Sequence, residues 1–276
     1  MAYQLHHGDC VDVLATLPAE SVDAVVTSPP YAMQRASTYG GVPEAEYPDW
    51  TVAWMREMRR VLKPDGSVII NIRPHIRNGQ ISDYTLRMRL ALREAGWREC
   101  EELIWHKPNG VPIGSVARPR RSWESLHWFA KHGKPFCAPR AAGSAPIGEM
   151  RAAHTTASRL GWNVGQGAPL NAQPQVARVA DVFRLGTGSK VGVDHPAPFP
   201  WQLAEWCGKL ICPTGGTILD PFMGSASTGV AALRNGWDFV GIDSAEEYVD
   251  MSRRRLDAEA ERIAGETGLL DMEVAA

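Results

Sequence analysis

Several things are scarce in this sequence. No apolar run approaches the roughly 20 residues that a membrane-spanning helix needs. Residues 1–7 lack the charged-then-apolar layout of a secretory signal, so a cytoplasmic location is expected. The five cysteines, Cys10, Cys100, Cys137, Cys207 and Cys212, are an odd number without a C-x-x-C pair. That pattern speaks against a disulfide framework and against a zinc site. The histidines show no ligand spacing, and no metal is expected. Positive charge is not in excess: 29 Lys and Arg stand against 31 Asp and Glu, for a net charge of −2. Binding a polyanion through bulk charge is thereby excluded, and any such contact has to be local. A G-x-G-x-x-G fingerprint is also missing, which argues against a nicotinamide dinucleotide.

What is present is ordinary for a globular protein: 276 residues, 44% hydrophobic and 22% charged. Short apolar runs alternate with helical periodicities. Strands are expected at residues 5–8, 22–27, 67–72, 102–106, 125–130, 217–220 and 238–242. Helices are expected at 11–17, from an N-cap at Asp49 through Leu62, at 83–95, 201–211 and 225–235, and from Ala245 onward. Lys63-Pro64-Asp65-Gly66 reads as a turn. Between these runs, residues 131–190 are rich in Pro, Gly, Ala and Asn and lose periodicity, as an insertion would. Strands alternating with helices predict an α/β fold with a doubly wound, mainly parallel sheet.

Two strand-to-loop junctions carry the chemistry. In the first, the apolar run ending at Thr27 is halted by Ser28-Pro29-Pro30-Tyr31, because proline cannot continue a strand ladder. The Ser28 hydroxyl and the Pro29 carbonyl are two acceptors on a loop stiffened by two prolines, and Tyr31 adds a flat aromatic face. Read alone, this is also compatible with a plain Pro-Pro turn. In the second, Asp220-Pro221-Phe222-Met223-Gly224-Ser225-Ala226-Ser227-Thr228 lies between a strand and a helix, where open α/β sheets bind ligands. Gly224 permits close backbone approach, and Ser225, Ser227 or Thr228 can cap the helix. Asp243, at the tip of the next strand, is placed to accept from ribose hydroxyls. A tight packing turn with Asp243 as an N-cap is the alternative. A third feature, Arg118-Pro119-Arg120-Arg121, is the densest basic cluster, either a phosphate clamp or a solvated loop.

Together these segments resemble the β group of amino-methylating DNA methyltransferases, in which the catalytic motif precedes the S-adenosylmethionine motif. Further segments carry the likeness: His7-Gly8-Asp9-Cys10, Leu62-Lys63-Pro64-Asp65-Gly66-Ser67, Trp105-His106-Lys107-Pro108-Asn109, Trp123-Glu124 and His195-Pro196-Ala197-Pro198-Phe199-Pro200. The resemblance spans nearly all of the chain outside about residues 133–193. It implies a Rossmann-like methyltransferase fold in circularly permuted motif order. Residues 1–132 would form the catalytic half, 133–193 an inserted target-recognition region, and 194–276 the cofactor half. It implies S-adenosylmethionine as cofactor and double-stranded DNA as partner, with a homodimer and a companion restriction endonuclease as further expectations.

The same likeness makes Ser28, Pro29, Pro30 and Tyr31 catalytic. It makes Asp9, Cys10, His195, Pro196, Phe199, Asp220, Pro221, Phe222, Gly224, Ser225, Ser227, Thr228 and Asp243 cofactor contacts. Arg35, Arg118, Arg120 and Arg121 are candidate DNA contacts. One departure is visible: the family's Gly-Ser-Gly is Gly224-Ser225-Ala226 here. Serine at the first loop position is commoner in cytosine-N4 enzymes and aspartate in adenine-N6 enzymes, so the resemblance favours cytosine N4 with adenine N6 as the alternative. An RNA or protein methyltransferase, or a non-catalytic DNA-binding relative, are the more distant readings.

Overall fold

The run Val22–Thr27 forms the strand its residues predict, and every residue of it is buried. A strand buried on both faces belongs in the middle of a sheet covered by helices on each side. The computed structural model describes residues 2–33, 41–109, 118–142, 179–186 and 199–274. Its strands are β1 (Tyr3–His7), β2 (Val22–Thr27), β3 (Leu62–Ile72), β4 (Ile76–Arg77), β5 (Gln80–Ile81), β6 (Arg98–His106), β7 (Trp123–Ala130), β8 (Val182–Arg184), β9 (Thr217–Asp220) and β10 (Asp238–Asp243). Its helices are α1 (Cys10–Thr16), α2 (Tyr47–Val61), α3 (Tyr84–Glu94), α4 (Trp201–Ile211), α5 (Ser227–Arg234) and α6 (Glu246–Val274).

Eight strands make one sheet in the order β1-β10-β9-β2-β3-β7-β6-β8. Neighbours run parallel from β1 to β3 and again between β6 and β8, while β7 is antiparallel to both β3 and β6. Two apolar cores flank the sheet. One joins Leu203, Trp206 and Leu210 of α4, Val230 of α5 and Leu256 of α6 to Ala24, Val26 and Ile69 of the sheet. The other joins Leu14 of α1, Trp54 and Met58 of α2 and Met88 of α3 to Val25, Val68 and Ile70. The sheet is therefore doubly wound. From the adjacent β2 and β9 the chain departs in opposite directions, to β3 and to β10. That is the topological switch point, where ligands bind beyond the carboxyl ends of the strands.

Three sequence expectations change, and one hairpin is new. The turn at Lys63-Pro64-Asp65-Gly66 becomes an excursion inside β3, where pairing jumps from Val22↔Leu62 to Ala24↔Ser67. It is stabilised by Lys63, whose ammonium lies 2.8 Å from both oxygens of the nearly buried Asp23, while Asp23 also accepts from the Thr217 amide. Helix α2 starts at Tyr47, not after a cap at Asp49: Pro48 fits the first turn, where no N–H is needed, and Asp49 lies within that turn, where its charge suits the dipole. A hairpin, β4–β5, turns on Asn78 and Gly79, both at positive φ, the pairing a tight two-residue turn favours. Finally, β8 lies within the expected insertion and pairs with β6, with Phe183 stacked on Trp206 at 4.9 Å. Flanking segments also join the domain, through bonds from Phe136 N to Asp65 O, Ala138 N to Leu210 O and Val179 N to Pro139 O. Residues 143–178 of that expected insertion lie outside the described residues.

Candidate active site

The two junctions singled out above meet at the switch point. Thr27, the last residue of β2, donates its hydroxyl to Asp220 Oδ1 at 2.6 Å, and Asp220 is the last residue of β9. Thr228 donates to Asp220 Oδ2 at 2.8 Å and approaches Val26 O at 3.1 Å, and the Phe222 amide adds a third bond to Asp220. Burial pushes the Asp220 carboxyl up to about 6, with those donors pulling the other way. Asp220 and Thr228, both fully buried, thus clamp the two loops together instead of facing a ligand. Ser225 and Ser227 are likewise turned inward. Arg255 of α6 bonds the Ser225 carbonyl at 2.5 Å and reaches the two hydroxyls at 3.3 and 3.4 Å. No side chain caps α5, contrary to expectation. Its N-cap is Ala226 in the left-handed conformation, φ 55°, the position where the family pattern has glycine.

What the turn offers a ligand is therefore backbone, an aromatic ring and one acid. Asp243 closes β10, accepting from Gly224 N at 2.9 Å and from Ala245 N at 3.0 Å. Burial raises its carboxyl, and these two amides oppose the rise. Its two oxygens carry about four acceptor positions, and the Gly224, Ala245 and Ser244 amides leave one of them for a ligand hydroxyl. Phe222 stands over α2, 5.5 Å from Trp50 and 5.3 Å from Trp54. Trp50 was legible in sequence only as a helix-face residue. The end of β1 is knit to the same corner: Gly8 N donates to Asp243 O at 3.0 Å and His7 Nε2 lies 3.1 Å from Ser244 O. Asp9 caps α1 through the Val11 amide, and Cys10 is buried with its thiol pushed up to about 12, hence neutral. Phe199 packs on the α4 side of the sheet. His195, Pro196 and Arg35 lie outside the described residues.

The loop after β2 is held by residues that sequence reasoning did not single out. Tyr47, fully buried at the start of α2, donates to Pro30 O at 2.8 Å and rests edge-on against Tyr84 at 4.9 Å. Tyr31 donates to Glu124 Oε2 at 3.2 Å, and Lys107 binds the other Glu124 oxygen. Burial, then Glu124, raise the Tyr31 phenol well above its ordinary value, so it stays protonated and donates. Nearby, Arg121 bonds Pro74 O at 2.5 Å, Arg120 reaches Pro108 O at 3.2 Å and Arg118 bonds Gly79 O. Arg73 is half-buried beside them, its guanidinium held below the ordinary value by burial and by Arg121. A protein of net charge −2 thus carries a cationic rim around this loop. Glu124 and Lys107 had no signal in sequence beyond the family motifs containing them, because their partners come from other strands.

An α/β sheet whose switch point joins a Pro-Pro-aromatic loop to a glycine-containing turn, with an acid ending the next strand, is the architecture of a Rossmann-like methyltransferase. The chain belongs to the N6/N4 DNA methylase family, whose model matches residues 22–254. It is 29% identical over 272 residues to the type II methyltransferase M2.DpnII of Streptococcus pneumoniae, covering 93% of this chain and 90% of that protein. It is 25% identical over 277 residues to the type II methyltransferase M.PvuII of Proteus hauseri, covering 91% and 82%. The solved PvuII DNA methyltransferase (cytosine-N4-specific) shares the fold with a TM-score of 0.70 at 23% identity, over 95% of this chain and 93% of that one. A Thermus thermophilus protein described as a putative DNA modification methylase, solved in complex with S-adenosyl-L-methionine, has a TM-score of 0.62 at 25% identity, over 94% and 96%. The chain is an S-adenosylmethionine-dependent DNA methyltransferase acting on an exocyclic amino group. Among the described residues no helix is long and apolar enough to cross a membrane.

Proposed function

We propose that this enzyme methylates cytosine at N4, with Ser28 to Tyr31 as its catalytic loop. The observation that carries this is a serine, not an aspartate, at the head of the loop, directly after the strand clamped to the cofactor turn through Thr27 and Asp220. The naming of a cytosine-N4-specific enzyme among the structural relatives supports it. An exocyclic amino group is a poor nucleophile, because its lone pair is delocalised into the ring. Two acceptors that take its hydrogens turn the nitrogen toward tetrahedral geometry and pull that lone pair out of conjugation with the ring. Tyr47 occupies the Pro30 carbonyl. The Ser28 hydroxyl and the Pro29 carbonyl are then the pair left for the base, on a backbone the prolines hold still. The Tyr31 ring stacks on the extruded base, worth roughly 1–3 kcal/mol.

S-adenosylmethionine, when bound, supplies the electrophilic methyl group. Asp243 accepts from a ribose hydroxyl, Phe222 and the Gly224 backbone line its site, and Asp9, Cys10, Pro221, Phe199, His195 and Pro196 border it. Asp220, Ser225, Ser227 and Thr228 shape that turn from within. Arg118, Arg120, Arg121 and Arg35 contact DNA phosphates, which supplies locally the charge the whole chain lacks. Residues 133–193 carry target recognition between a catalytic half at 1–132 and a cofactor half at 194–276. The enzyme works in the cytoplasm, as a homodimer, alongside a companion restriction endonuclease. Expression in a methylation-free host followed by long-read sequencing tests this reading. N4-methylcytosine at a defined sequence is the expected result; N6-methyladenine would overturn the choice of base, and an unmodified genome the function.

A further inference from the structure

We propose that Glu124 is a positioning residue for methyl transfer, fixing the Tyr31 ring through its hydrogen bond with the Tyr31 hydroxyl. The inference rests on the reading of Ser28 to Tyr31 as the catalytic loop. It begins with an anchored platform. Trp105, on β6, is buried and donates its indole N–H to Leu185 O at 2.8 Å. Lys107 lies over that indole, 4.0 Å from the ring centroid, and is paired with Glu124. Glu124 sits opposite Trp105 across the β6–β7 ladder, and the side chains of Glu124 and Lys107 are each only 13% exposed. Neither oxygen of Glu124 is left to rotate freely: one holds Lys107 and the other accepts from Tyr31 at 3.2 Å.

The polarity of this chain of hydrogen bonds is set by chemistry. An ionised carboxylate only accepts hydrogen bonds, so the phenol has to donate to it. That bond, with Lys107 holding the other carboxylate oxygen, sets the tilt of the Tyr31 ring against which an extruded base stacks. Without the carboxylate the ring is free to turn out of that position. Glu124 touches no reacting atom in this scheme. It acts through Tyr31.

The distinguishing experiment is a mutant cycle read by single-turnover methyl transfer to duplex DNA, whichever base is modified. Glu124→Gln keeps size and shape but reverses polarity: its amide oxygen goes to Lys107 and its NH2 faces Tyr31. The expected result is a loss in rate on the order of 10-fold, equivalent to one misdirected hydrogen bond. The dissociation constant for S-adenosylmethionine and the KM for DNA should stay within about twofold, because catalysis alone loses a transition-state interaction. In the Tyr31→Phe background, Glu124→Gln should cost nothing further. Glu124→Ala, checked by its melting transition, should follow the same pattern. A wild-type rate for Glu124→Gln, or an equal loss in both backgrounds, overturns the proposal. Wild-type rates for Ser28→Ala and Tyr31→Phe would instead overturn the loop assignment on which it rests.

Discussion

The turn after β9 and the loop after β2 leave adjacent strands at the same edge of the sheet, yet they use their polar groups in opposite ways. In the turn, Asp220, Thr228, Ser225 and Ser227 all bond other parts of the protein, and what remains for a ligand is backbone, Phe222 and the spare acceptor position of Asp243. In the loop, residues from other elements hold backbone and ring: Tyr47 takes the Pro30 carbonyl and Glu124 takes the Tyr31 hydroxyl. The comparison teaches that a cofactor shared by a whole family can be met by a shaped backbone. On the proposed reading, the weak nucleophile needs aimed side-chain and carbonyl acceptors, on a loop held by Tyr47 of α2 and Glu124 of β7.

The largest way to break the contrast is at the loop. Ser28→Ala, or Tyr31→Ala, should lower methyl transfer by at least about 100-fold, the usual worth of a positioned catalytic group. Binding of S-adenosylmethionine, measured by calorimetry, should be unchanged. Next comes the clamp between the two regions. Asp220→Ala leaves the Thr27 hydroxyl and the Phe222 amide without their partner in a buried site, while Thr228 keeps Val26 O, for a loss of about 3 kcal/mol in denaturant unfolding. The acid also has a pH signature. Its carboxyl is raised from 3.8 to about 6 in the folded protein. The folded state therefore binds its proton more tightly, and this contribution to stability is fully present below 3.8 and lost as pH rises through about 6. Unfolding scans of Asp220→Asn should show that decline reduced relative to wild type.

Asp243→Ala should weaken S-adenosylmethionine binding by about 10-fold or more, since charge-assisted hydrogen bonds are worth roughly 1.5–3 kcal/mol. An unchanged calorimetric Kd would remove Asp243 from the cofactor site. The smallest effect is expected at Ala226. An alanine at φ 55° costs about 1 kcal/mol that glycine does not. Ala226→Gly should raise the melting temperature by about 2–4 °C for a chain of this size without changing the rate. An unchanged or lower melting temperature would show that the methyl packing outweighs the backbone strain.

How much of this was legible in the sequence depends on where the determining contact lies. The bounds of β2, α4 and β9 follow from local runs of apolar residues, and Pro29-Pro30 marks the end of β2 unaided. The order of the two junctions was also visible. By contrast β8 was hidden, because three residues in a Pro- and Gly-rich stretch gain their order from pairing with β6 and from the Phe183–Trp206 stack, both distant in the chain. The β4–β5 hairpin carried its Asn78-Gly79 signal, but its two-residue strands are too short for periodicity to register. The inward turn of Ser225 and Ser227 depends on Arg255, about thirty residues onward, and no capping rule anticipates it. Tyr47 and Glu124 were unreadable as loop supports for the same reason: each meets the loop only through the tertiary fold.

The central claim is that the loop headed by Ser28 methylates cytosine N4. It is tested most directly by incubating duplex DNA with labelled S-adenosylmethionine and the wild-type enzyme or Ser28→Ala, then digesting to nucleosides and measuring the products by mass spectrometry. The account predicts labelled N4-methylcytosine from the wild type and a loss of at least about 100-fold with the variant. Label in N6-methyladenine, in no nucleoside, or equally from both proteins would contradict it.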